Sequence, residues 1–264
     1  MAECRVKDIC ALMQEIAPTE YAEGFDNVGL LVGDKDQIVT GIAVALDVTD
    51  DVINFAISNE CNMIITHHPL IFTPLKKVVA DDAVGGIVLS CIKNGISVYS
   101  AHTNFDKADN GTDDALAKAL DLIYPERLDD ESINGTSVGL GRIGKVEKIT
   151  VKELVNKLND KLQTKVVTTA DDDKVISRIA SVAGSGGDYI AQAISKNADI
   201  FVTGEMNYHC ALDAKRLGMD VILCSHAASE QISLNSLKNT LQNRINGVQY
   251  NVRVVLAPYK ALWH

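Results

Sequence analysis

Apolar residues recur along the chain in two alternating periods. Val6, Ile9, Cys10, Met13 and Ile16 follow helical spacing, and Pro18 closes that run. "GIAVALDV" (41–48), "NMIIT" (62–66) and "ISVYSA" (96–101) are short apolar runs that predict strands. Between them, Thr49 as N-cap followed by Asp50 and Asp51 predicts a helix to about Glu60. A second helix is predicted over 81–94, ended by Asn94-Gly95, and "TDDALAKALDL" (112–122) predicts a third. Strands alternating with helices predict a parallel sheet with helices on both faces.

The second half has the same style. Helices are predicted over 150–162, 189–198, 207–217 and 227–243, and strands over 164–169, 175–183, 199–204, 220–225 and 249–257. Residues 124 to 140 are charged, Gly-bearing and aperiodic, which reads as a crossing between two α/β lobes. The expected fold is α/β, with mixed or mostly parallel sheets. The expected lobes are 1–125 plus 226–264, and 126–225.

The 264 residues are 47% hydrophobic and 23% charged, enough for one large or two smaller globular domains. No apolar stretch approaches the roughly 18 residues of a membrane span. Charges interrupt the N-terminal segment, so it does not read as a signal peptide, and a cytoplasmic protein is expected. A net charge of −10 disfavours nucleic-acid backbones and anionic membranes. The six cysteines form no C-x-x-C and mostly lie in apolar segments, as reduced core thiols do.

Chemistry collects where strands end, because parallel α/β sheets bind ligands beyond the carboxyl ends of their strands. Asp47 lies at the end of the first predicted strand, and His67, His68, His102, Asp106, Glu205, His226 and Glu230 follow predicted strands; they include four of the six histidines. His226 and Glu230 are four residues apart and share one helix face if the helix starts near 226. The other reading of that pair is a helix-start carboxylate beside an incidental histidine. With His67, His68 and Asp106 the set holds three imidazoles and two carboxylates. Such nitrogen and oxygen donors suit Zn, Mn, Fe, Co or Ni, and five ligands leave open positions on two ions. "AGSGGD" (183–188) is either a tight Gly-rich turn or an anion cradle. His209 sits at a helix start, where it either lines a site or packs. Asp109, Asp113 and Asp114 read as solvated helix-start carboxylates, and His264 carries no inference.

"FDNVGLLVG" (25–33), "THHPLIF" (66–72), "SAHTNFDKADNGTDDALA" (100–117), "AGSGGD", "TGEMNYH" (203–209) and "SHAASE" (225–230) occur in that order. With them the chain resembles, over nearly its whole length, the GTP cyclohydrolase 1 type 2 homologues, or Nif-three-like family. The resemblance implies two similar α/β lobes with two divalent metal ions per subunit in the cleft between them, and a toroidal homohexamer. It assigns the ligands to His67, His68, Asp106, His226 and Glu230, with Glu230 as the bridge and His102 outside the ligand set. The sequence departs from the family at Phe25, where Trp is frequent, and at Ser225-His226-Ala227, where Gly-His-Tyr is frequent.

Two functions of different class follow. One is a metal-dependent hydrolase of a nucleotide or related small molecule, with Glu205, His102 and His209 as candidates to move protons. The other is a protein that stores, delivers or senses metal, or serves as a scaffold. Stoichiometric metal with turnover separates the first from the second.

Overall fold

The computed structural model describes residues 3–261, so His264 lies outside the described residues. Through Ala108 the elements are α1 (Val6–Ile16), β1 (Gly29–Val32), β2 (Gly41–Ala45), α2 (Asp50–Ser58), β3 (Met63–Thr66), α3 (Ala83–Lys93), β4 (Ser97–Ser100) and α4 (Thr103–Lys107). Next come α5 (Thr112–Ala119), β5 (Ile123–Ile133), β6 (Thr136–Thr150), α6 (Val151–Leu162), β7 (Val167–Thr168), β8 (Val175–Ser185) and α7 (Ile190–Ser195). The chain closes with β9 (Ile200–Glu205), α8 (Tyr208–Arg216), β10 (Val221–Leu223), α9 (His226–Gly247) and β11 (Arg253–Leu256).

Packing divides the chain into two compact units. The first runs to Ala108 and resumes at Leu234, and the second is Asp109–Ser233. The sequence reading drew its divisions at 125/126 and 225/226. The packing draws them earlier and later, because Leu116 and Leu120 of the α5 segment and Ala228 of α9 join the core of the second unit. His226 and Glu230 therefore belong to the second unit.

In the first unit the sheet order is β1-β4-β3-β2-β11. All pairs are parallel except β1 with β4. The register aligns Ala45 with Thr66 and Thr66 with Ser100, so β2, β3 and β4 end at one level. Whatever follows them emerges at one sheet edge. Ala43, Ile64 and Val98 pack with Ile53 of α2 and Val88 of α3. Both helices have side-chain N-caps, Thr49 to the Val52 amide and Asp82 to the Gly85 amide, each worth about 0.5–2 kcal/mol.

The second unit has a six-stranded sheet, β5-β6-β8-β9-β10-β7, parallel only across β8, β9 and β10. It is buried on both faces of β9. Ile200 and Val202 join α6 residues Leu154 and Leu158, while Phe201 joins Leu128, Ile143 and Val221. That is the two-residue alternation of a strand between two cores.

The structure corrects the reading of 124–140. This stretch is a long antiparallel hairpin, β5 and β6, turned at Asn134-Gly135 with φ of 53° and 82°. Asn-Gly with two positive φ angles is the preferred two-residue hairpin turn. β5 lies at the sheet edge with only Leu128 buried, so it shows no hydrophobic period. β1 was likewise not foreseen, and the strand expected over 164–169 shrinks to Val167–Thr168. Among the described residues no helix is long and apolar enough to cross a membrane. All six cysteines are free thiols, and burial pushes Cys224 up to about 12.

Candidate metal centre

The first unit carries three histidines at the aligned strand ends. Past β3 the chain bends but stays tied to the segment after β2, with the His67 amide donating to Ala45 O (3.2 Å) and the His68 amide to Leu46 O (2.9 Å). The His67 side chain is wholly buried, and its Nδ1 lies 3.0 Å from Ala101 O. A carbonyl only accepts, so Nδ1 is the donor in this bond. The same pattern recurs twice. His68 Nδ1 meets Asp47 Oδ1 at 2.8 Å, and His102 Nδ1 meets Asp26 Oδ1 at 2.9 Å. Each imidazole thus has its Nδ1 held by an acceptor, which is the arrangement that orients metal-binding histidines. The ligand atoms offered by His67, His68 and His102 lie within 4.8 Å of one another.

Asp106, on α4, places Oδ1 3.5 Å from His67 Nε2. The local chain is shaped by Asp26, whose side chain is fully buried. Its carboxylate accepts from His102, from the Thr103 amide (3.0 Å) and hydroxyl (2.5 Å), and from the Asn27 amide (2.8 Å). Burial alone would raise the Asp26 pKa. The bonds from His102 and Thr103 outweigh it and hold the carboxyl at about 2.

The second unit carries His226 and Glu230 one turn apart at the start of α9. His226 Nε2 is 3.1 Å from Glu230 Oε1, and His226 Nδ1 is 3.2 Å from Glu205 Oε1. Ser225, in the left-handed region at φ 71°, turns the chain from β10 into this helix. Two glycines make the room. Gly184 has φ +63°, and a Cβ there would collide with the Glu230 carboxylate. A Cβ on Gly204 would lie 2.5 Å from Gly184 O and 2.8 Å from His226 Cα. The Gly184 amide donates to Ser229 Oγ and the Gly186 amide to Thr203 Oγ1, both at 2.9 Å. Those two amides of "AGSGGD" are committed within the protein, and Gly184, near the end of β8, clears space for Glu230.

The structure thus gathers His67, His68, His102 and Asp106 in one unit, and His226, Glu230 and Glu205 in the other. His209 is exposed on α8 with its ring 5.6 Å from that of Tyr208. Asp113, read as solvated, is buried and accepts from the Gly141 and Ala183 amides, a structural role within the second unit. Asp26 was missed as the residue that holds His102. Its only signal was the motif "FDN", whose 76-residue distance from His102 hides the contact.

These are mixed α/β units bearing imidazoles and carboxylates at strand and helix ends, a donor set fitted to borderline divalent cations. The model of the Duf34/NIF3 (NGG1p interacting factor 3) family matches residues 4–261, and the chain belongs to that family. It is 34% identical over 263 residues to a GTP cyclohydrolase 1 type 2 homolog of Clostridium acetobutylicum, covering 97% of this chain and 98% of the relative. With the homolog of that name from Clostridium perfringens it shares 36% identity over 244 residues, covering 92% and 93%. The solved structure of a Bacillus cereus protein related to NIF3 superposes with a TM-score of 0.92 at 25% identity, covering 99% of this chain and 98% of that one.

Proposed function

We propose that the chain holds two divalent cations through His67, His68, Asp106, His226 and Glu230, and acts as a hydrolase on a nucleotide or a related small molecule. The observation that carries this reading is the shared orientation of His67, His68 and His102, each with Nδ1 held by an acceptor. Cations of the Zn, Mn, Fe, Co or Ni kind would supply Lewis acidity toward a carbonyl, imine or phosphoryl oxygen and toward water. The protein's own groups do the rest. Asp47 and the Ala101 carbonyl fix the rings of His68 and His67. Asp26 fixes His102, which exchanges protons at Nε2. Glu205 steers His226 through Nδ1, and Glu205 and His209 are further proton carriers in this reading. The Glu230 carboxylate, buried beside Gly184, would be a ligand to the cations. The names of the clostridial relatives favour a nucleotide substrate. The working form in this reading is a cytoplasmic homohexamer.

Elemental analysis of the purified protein tests the centre, and an activity screen over nucleotides and phosphoesters with the metals found tests the hydrolase. Stoichiometric metal with turnover is expected. Metal that leaves readily to a chelator, with no turnover across the panel, would instead mark a metal carrier. Light scattering should give a mass well above the 28.5 kDa of one chain.

A further inference from the structure

Phe25 and Phe72 are large apolar side chains left in the open, 68% and 48% exposed. They are not scattered. Their rings meet edge to face with centroids 6.3 Å apart, and Phe72 meets the His102 ring at 6.3 Å and 84°. His102 in turn lies 5.1 Å from His67 and 5.8 Å from His68. An aromatic wall therefore runs without a break from solvent to the candidate ligands of the first unit.

The wall is also held in place. Phe25, Asp26 and Asn27 are consecutive. Asp26 carries the bond to His102, and Asn27 Nδ2 donates to Ile71 O at 2.6 Å, next to Phe72. One tripeptide thus supplies a ring, anchors the proton-moving imidazole and ties down the segment bearing the second ring. The exposed part of each ring gains nothing for folding. Fixing them beside polar chemistry gives a preformed surface for a planar guest, because stacking needs an accessible π face and little side-chain entropy.

We infer that Phe25 and Phe72 form the stacking platform for a planar heteroaromatic ring of the substrate, and so set its class. This rests on the proposed function only in taking the histidine cluster as the reacting end. The platform discriminates by ring and leaves the anionic or reacting part of the guest to the cluster.

The test is calorimetric binding of guanosine 5′-monophosphate and ribose 5-phosphate to the protein as purified, with its metal content measured on the same sample. The nucleotide should bind about tenfold tighter than the sugar phosphate, the scale of one base–aromatic stack. Phe25→Leu and Phe72→Leu should each remove most of that difference while leaving metal content and ribose 5-phosphate binding unchanged. Phe25→Trp, which keeps the π face, should preserve it. These positions are exposed, so the variants are expected to fold, and circular dichroism checks that they do. Metal-replete protein that binds both probes equally, or neither, overturns the platform. So does Phe25→Leu that retains the preference. Metal-free protein that still prefers the nucleotide through Phe25 leaves the platform standing and removes the metal reading.

Discussion

The two units present their ligand-type residues in opposite ways. In the first, His67, His68 and His102 are brought to one level by strand register, and their rings are set by acceptors at positions 101, 47 and 26. In the second, His226 and Glu230 are neighbours by helix pitch alone, and glycines from two other segments provide the space. The first arrangement is imidazole-rich and depends on long-range contacts. The second is local and depends on the absence of side chains. A substitution should therefore damage the first by releasing a ring and the second by filling a gap.

The largest effect should come from the proposed ligands. His67→Ala and Glu230→Ala should each weaken metal binding more than about a hundredfold, beyond the 10–100-fold typical of residues that only orient ligands. Metal titration into the apo variants reads this, and unchanged affinity in both, with native circular dichroism, removes the proposed centre. Gly184→Ala comes next. Its methyl must displace Glu230 and adopt a strained φ of +63°, so a loss of about 1–3 kcal/mol in urea unfolding is expected together with weaker metal binding. Stability and affinity equal to the parent would show that the glycine is not needed to clear the site.

Asp106→Asn and His102→Ala then sharpen the first unit. The neutral amide is the poorer ligand, so Asp106→Asn should weaken metal strongly, whereas His102→Ala should keep most of the metal and lose turnover. Equal metal loss in both would put His102 among the ligands, a result its place within 4.8 Å of the other two imidazoles makes worth looking for. The smallest effect is acid sensitivity. Asp26 is held at about 2, below the roughly 3.9 of an unfolded chain. Its contribution is present above that unfolded value and is lost as pH falls from about 4 through 2. In denaturation of the apo protein, Asp26→Asn should fall less steeply over that window than the parent. Parallel curves would mean that the carboxylate contributes little to folding.

Much of this was legible in the linear chain. Apolar period located most helices and the central parallel strands of each unit, because those segments are buried and their side chains must match a face. The ligand-type residues were legible for a related reason. In parallel sheets the strand ends are where polar chemistry gathers, and the His226–Glu230 spacing needs only the pitch of a helix. The edge strand β5 was not legible by period, since a strand with one buried residue has no face to match, although Asn134-Gly135 marked its turn. Tertiary structure alone decided which acceptor holds which ring. Asp26 and His102 meet across 76 positions of chain, and Gly184 and Gly204 matter only because Glu230 and His226 arrive against them. Period and propensity are properties of neighbours in sequence. Ring orientation and free space depend on residues that only folding makes neighbours.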